Sequence, residues 1–268
     1  MQSIKFEDKW KLISEKSSDD EFSLFVPKGM KPRTQRQINF FWYYKFFENL
    51  IKDKNYKNGL ELGCGRGTMS LFLNKYDGIE VALLDISEDA IKLAKENFSK
   101  YDARAEFFVG SSDSIPMPDS SVDIVYSIGL LEHIDNYDVT IKEGYRVLKL
   151  GGVMIHLNIP EKWSAQNINN LYKWFLRLLS GKFYPPKDYY RNNDTPEDYI
   201  EKVKNMGFKK VYAVNVNPFP IFVPISMKTD KAIAKLYNFT LWIRKIFLKY
   251  PFKTNYTLSQ GHFLVGYK

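Results

Sequence analysis

One stretch constrains this chain more than any other: Gly59-Leu60-Glu61-Leu62-Gly63-Cys64-Gly65-Arg66-Gly67. After a helical interval comes a second apolar run ending on an acid, Glu80-Val81-Ala82-Leu83-Leu84-Asp85. Apolar residues, then alternating glycines, then helical spacing read as strand, turn and helix, with bare backbone able to lie against a ligand. The second strand carries one carboxylate to the same sheet edge, where a ribose would lie. The pattern predicts a nucleoside-containing cofactor.

The glycine spacing narrows the choice. Gly63, Gly65 and Gly67 give G-x-G-x-G, whereas a dinucleotide fingerprint needs its third glycine at 68, where this chain has Thr68. The Gly-Lys-Ser/Thr of a phosphate-gripping loop is also missing. A turn that holds no pyrophosphate can carry an acid at its entrance, here Glu61, which repels phosphate and suits an ammonium or sulfonium group. That points to S-adenosyl-L-methionine rather than NAD. Singly, Glu61 also reads as a strand-end acid and Asp85 as a helix N-cap; their order and spacing favour the ligand reading.

From Asn58 onward, short apolar runs alternate with helical periodicity, which predicts βαβ units. Strands are expected at 59–62, 79–85, 106–109, 122–127, 153–158, 208–214 and 262–267. Helices are expected at 34–54, 68–75, from Ser87 through Phe98, 137–147, 163–180, 195–206 and 230–249, with a stop near Gly151-Gly152. The fold class is therefore α/β: a mostly parallel seven-stranded sheet with helices on both faces and helical cap insertions. The chain reads as one domain over 1–268. It comprises an N-terminal helical cap (1–57), a cofactor-binding core (58–160) and acceptor-side insertions (161–194 and 215–258). The aromatic block Phe40–Phe47 predicts a helix buried on more than one side or facing a ligand cavity.

Charge is unevenly distributed. Residues 59–160 hold 9 Lys/Arg against 16 Asp/Glu, while residues 161–268 hold 18 against 7, within a total of +8. A basic flank either tolerates solvated lysines or meets something anionic, such as an acidic acceptor or a lipid headgroup. In the last helix, Lys231, Lys235, Lys245 and Lys249 lie beside a wide apolar face. This suits a basic-faced cap packed on the domain, or a helix lying on an anionic membrane surface. No apolar run reaches the ~18 residues of a spanning helix. The start lacks an apolar signal core, and Cys64 is the only cysteine. These features lead to the expectation of a cytoplasmic protein, peripheral at most to a membrane, with Cys64 a small filler in the turn. Three scattered histidines and one cysteine predict no metal site.

Several segments, in order, resemble the class I S-adenosylmethionine-dependent methyltransferases, which have a Rossmann-like fold, and especially the small-molecule branch that includes quinone-biosynthesis enzymes. Glu61–Gly67 is similar to the family's first motif, Gly110–Pro116 to its third-strand segment, Val122–Ser127 to its fourth strand, and Arg146–Gly152 to its helix-to-fifth-strand junction. The resemblance implies that Glu61, Gly63, Gly65 and Gly67 lie along the methionine part of the cofactor. It also implies that Asp85 holds the ribose hydroxyls and that Ile86 packs on adenine. The family usually places an acid directly after Gly110. This chain has Ser111, so Ser112 with backbone groups, or Asp113, would read the adenine. Ser127 and Ile128 complete the cofactor side.

An acceptor would enter beyond the ends of the fourth and fifth strands, near Ser127, Ile128, Glu132, His133 and Asn158. His133 is the candidate general base, with a second reading in which it only holds a loop carbonyl. His156 reads as a core residue, and His262 as a pocket residue only if its edge curls inward. The implied activity is methyl transfer to a small molecule, amphipathic or anionic. The alternatives are an RNA methyltransferase, disfavoured because no recognised nucleic-acid motif occurs, and a cofactor-binding regulator without transfer activity.

Overall fold

The computed structural model describes residues 23–162, 171, 174–175, 190–218, 226–247 and 252–268. The elements run α1 (Gln35–Ile51), β1 (Asn58–Leu62), α2 (Thr68–Asp77), β2 (Glu80–Asp85), α3 (Glu88–Lys100), β3 (Glu106–Val109) and β4 (Val122–Ile128). They continue with α4 (Asp138–Val147), β5 (Leu148–Asn158), α5 (Pro196–Asn205), β6 (Val211–Val216), α6 (Met227–Phe247) and β7 (Gly261–Tyr267). The sheet order is β3-β2-β1-β4-β5-β7-β6. Pairings from β3 to β5 are parallel, and β7 is antiparallel to both β5 and β6. The α/β reading with a mostly parallel seven-stranded sheet holds.

Local chemistry explains most helix starts. Thr34 accepts from the Gln37 N–H to cap α1. Ser87 caps α3, with Glu88 and Asp89 favourably placed in its first turn. Thr195 and Asp198 form a reciprocal capping box on α5, with Pro196 in its first turn. Strand alternation then divides the core. Leu60, Leu62, Val125, Met154 and Leu264 face α4 and α5. Ile124, Tyr126, Ile155, Phe263 and Val265 face the side covered by α1, α2 and α3.

The aromatic block of α1 is buried on more than one side. Phe46 stacks on Phe263 at 4.2 Å between ring centroids, Tyr44 stacks on Phe72 at 5.1 Å, and Phe47 meets Tyr126 edge-on at 5.5 Å. Such pairs contribute about 0.5–1.5 kcal/mol each beyond the area they bury. Residues 23–30 have no regular structure, yet Phe25 and Val26 are core residues against α2 and α3.

Two boundaries depart from the sequence reading. Gly151-Gly152 does not stop a helix: α4 ends at Val147 and β5 begins at once. The glycines lie inside β5, where the register against β4 shifts between Val122 and Ile124, so they form a bulge. The sixth strand starts at Val211 rather than 208, because Phe208 is drawn into the core under Gly266. The expected helix over 163–180 lies outside the described residues apart from Leu171, Trp174 and Phe175, as does most of the 161–194 insertion. Among the described residues no helix is long and apolar enough to cross a membrane.

Candidate functional site

The strand order reverses direction between β1 and β4, the place where open α/β sheets bind ligands. The turn after β1 rests there. Gly63, Gly65 and Gly67 have φ of 61°, 53° and 65°, a left-handed run that side-chain-bearing residues adopt at a cost. A Cβ on Gly63 would come within 2.8 Å of Leu130 Cδ1, and one on Gly67 within 2.5 Å of Leu83 Cδ2. The turn is thus pressed against the segment leaving β4 on one side and β2 on the other.

Asp85 ends β2 and joins two turns. Its Oδ2 accepts from the Gly65 N–H at 2.8 Å and its Oδ1 from the Ser87 N–H at 3.0 Å. An ionised carboxylate is an acceptor-only group, the chemistry that a pair of ribose hydroxyls requires. Ile86 stands beside it, 63% exposed. Thr68 Oγ1, buried in the first turn of α2, has no hydrogen-bond partner among the described residues.

Glu61 follows the strand's alternation at the end of β1. Leu60 and Leu62 take the opposite sheet face, so Glu61 points under α2 and is 2% exposed. Its Oε2 accepts from the Ser70 backbone N–H at 3.1 Å and from the Ser70 hydroxyl, which lies 2.7 Å from the Tyr126 hydroxyl. Burial, opposed by the Ser70 bonds and reinforced by Asp85, pushes its pKa up to about 8. The carboxyl braces α2 on β1 through Ser70, and burial favours its neutral form. Cys64 is also buried, and burial raises its thiol, which agrees with a filler rather than a nucleophile.

The third-strand loop is tied to α4. Thr140 Oγ1 donates to Asp113 Oδ1 at 2.6 Å and lies 3.1 Å from Ser112 Oγ, while Ser111 Oγ accepts from the Asp113 N–H. Asp113 is therefore held by a helix, and Ser111 remains with the loop beside Gly110. Ser127 is fully buried with its Oγ 2.7 Å from His156 Nδ1, which places the hydroxyl in the sheet interior. Burial drops the His156 pKa to about 3, so this core imidazole stays neutral. Ile128 is half-buried at the end of β4.

Beyond β4, a one-turn 3₁₀ helix (Leu131–His133) carries the expected base. His133 Nδ1 lies 2.8 Å from the Tyr190 carbonyl oxygen. A carbonyl only accepts, so Nδ1 holds the proton and Nε2 is the basic nitrogen of the neutral ring. The loop-carbonyl contact is real and leaves the basic nitrogen at the ring's other end. Glu132 is 1% exposed, with Oε1 accepting from the Ile159 N–H at 3.1 Å.

Sequence reasoning did not single out Tyr190, Arg191 and Asn192. The Asn192 N–H donates to the Glu132 carbonyl at 2.8 Å and its Nδ2 to the Leu131 carbonyl at 3.2 Å; Arg191 reaches the Ile159 carbonyl at 3.2 Å. The segment before α5 is thereby stitched over the ends of β4 and β5. All three bonds end on main-chain carbonyls, which any residue offers, so no sequence signal announced them. His262 also finds its place: antiparallel β7 sets it opposite Asn158, whose Nδ2 is 3.4 Å from His262 Nε2. Asn158 Oδ1 and His262 Nδ1 are buried without partners among the described residues. Among those residues no cluster of three or more His, Cys, Asp or Glu could hold a metal.

A family model described as "Methyltransferase domain" matches residues 60–156. The chain is 30% identical over 141 residues to a demethylmenaquinone methyltransferase of Listeria monocytogenes, covering 50% of this chain and 59% of that protein. It is 27% identical over 209 residues to a chloroplastic 2-methyl-6-phytyl-1,4-hydroquinone methyltransferase of Spinacia oleracea, covering 69% of this chain and 55% of that protein. The chain therefore spans less than two thirds of the length of these relatives. A [4+2]-cyclase, SpnF, shares the fold with a TM-score of 0.64 at 16% identity, over 98% of this chain and 94% of that one.

Proposed function

From a core that is a class I S-adenosylmethionine-dependent methyltransferase domain, we propose that the chain transfers a methyl group from S-adenosyl-L-methionine to a small, amphipathic or anionic acceptor. The observation that carries the reading is the Asp85 carboxylate, pinned between the Gly65 and Ser87 N–H groups at the β1/β4 reversal beside the glycine turn. The residues suit the cofactor. A left-handed glycine turn offers bare backbone, Asp85 suits a pair of ribose hydroxyls, and exposed Ile86 suits a flat base, with Ser111 and Ser112 nearby. The unpartnered Thr68 Oγ1 is a further polar atom beside the same turn.

When bound, the cofactor supplies an electrophilic methyl on a good leaving group. The chain's part is to position the acceptor, exclude water and take a proton where the acceptor carries one. His133 Nε2 is the group proposed to take it, with Nδ1 fixed by Tyr190. The 161–194 and 215–258 insertions and α1 are proposed as the acceptor wall. An acceptor with a quinone-type head and an apolar tail is supported by the names of the two methyltransferase relatives, and such a molecule would be met at a membrane surface.

Calorimetry with S-adenosylmethionine, its demethylated product and NAD tests the cofactor. Binding of NAD alone, or of none of the three, refutes the reading. Because a cyclase shares this fold, transfer needs its own assay: mass spectrometry of a quinol acceptor incubated with the loaded protein, where a gain of one methyl is the expected result.

A further inference from the structure

We propose that the exposed face of α6, together with residues 30–33, docks the protein on an anionic phospholipid bilayer; the inference deepens the amphipathic-acceptor reading and rests on it for its purpose. A groove of about 1010 Å³ runs between the two segments, lined by Lys31, Arg33, Lys231 and Lys235 with Met30 and Phe239. No acid lines it among the described residues. Asn238 Nδ2 donates to the Pro32 carbonyl at 2.8 Å, which fastens the segment to the helix. The nearest acid on α6, Asp230, is turned inward and accepts from the Gln35 backbone and side-chain N–H groups at 3.2 and 2.9 Å.

The helix itself is two-faced. Asp230, Ala234 and Tyr237 are buried, and the Tyr237 hydroxyl donates to the Pro218 carbonyl at 2.6 Å. At 100° per residue the opposite side carries exposed Lys228, Lys231 and Lys235 in its first turns and Phe239, Ile243 and Ile246 in its later ones, with Leu236 flanking. Leu236, Phe239 and Ile246 are 64%, 67% and 63% exposed, an apolar stripe of a kind that marks an interaction surface.

Cations beside bulky apolar side chains match a surface with phosphates outside and hydrocarbon beneath. RNA offers the phosphates but nothing for Ile243 and Ile246 to enter. A second copy of the chain would set the same four cations against each other.

The test floats the full chain with phosphatidylcholine vesicles, with and without phosphatidylserine. Expected are capture on the anionic vesicles alone, release at high salt, and a loss of about 30-fold in partitioning for Lys231→Gln with Lys235→Gln. Phe239→Ser with Ile246→Ser should weaken capture even at low salt. Circular dichroism matching the wild type qualifies each variant as folded. Equal capture on both vesicle types, no capture, undiminished capture of the variants, binding to tRNA in place of vesicles, or a dimer abolished by Phe239→Ser would overturn the proposal. Vesicle capture by a protein that fails to bind S-adenosylmethionine leaves the docking standing and removes the methyl-transfer reading.

Discussion

Replacing Glu61 by glutamine keeps the side chain's shape and removes its ability to ionise. In the folded chain burial holds this acid near pKa 8, against an ordinary value of 4.5. A raised folded pKa means that the neutral form's stabilisation is complete below pH 4.5 and is lost as pH climbs toward 8. At about 1.36 kcal/mol per unit, the wild-type chain forfeits on the order of 5 kcal/mol across that window. Relaxation around the carboxylate will trim the figure, so about 3–5 kcal/mol is the expected range. The amide oxygen of the Glu61→Gln side chain can still accept from Ser70, so the variant should lack this decline. Urea denaturation of both proteins from about pH 5 to about pH 8.5 measures it: the stability gap should open steadily in the variant's favour as pH rises. A gap that stays flat across this range refutes the buried, neutral Glu61.

A cationic ligand beside Glu61 would favour its charged form, so S-adenosylmethionine binding below pH 8 should release a proton, read as a binding heat that changes with the buffer's ionisation enthalpy. Asp85→Ala should weaken that binding by about 1.5–3 kcal/mol, since it removes charge-assisted acceptors, and an unchanged dissociation constant would remove the ribose assignment. Gly67→Ala should cost about 1–3 kcal/mol of stability in thermal melts, because its Cβ meets Leu83 Cδ2 at 2.5 Å in a left-handed turn. His133→Ala should lower turnover and flatten its dependence on pH while sparing cofactor affinity; full activity at every pH would leave His133 only its bond to Tyr190.

What was legible in the sequence was local. The glycine turn, the acid ending β2, the capping residues Ser87 and Thr195 and the βαβ alternation each follow from neighbouring residues, and each sits close to where it was expected. What was missed depends on residues distant along the chain. Glu61 reads as exposed until Leu60 and Leu62 take the other face and α2 closes over it. The bond from Thr140 on α4 to Asp113 Oδ1 joins residues far apart along the chain, and no local pattern announces it. Gly151-Gly152 reads as a helix stop, since only pairing with β4 reveals a bulge. The bonds from Asn192 to Leu131 and Glu132 end on main-chain carbonyls, which every residue has.

The position of β7 bears on how the chain assembles. Lying between β5 and β6, it is the rung that connects β6 to the rest of the sheet. During synthesis β6 therefore emerges with no neighbour to bond and must wait for residues 261–267. Until then the flank of β5 is an open template for foreign strands. A truncation just before Gly261 would strand β6 and bare the β5 flank up to Asn158, so the shortened chain is expected to aggregate.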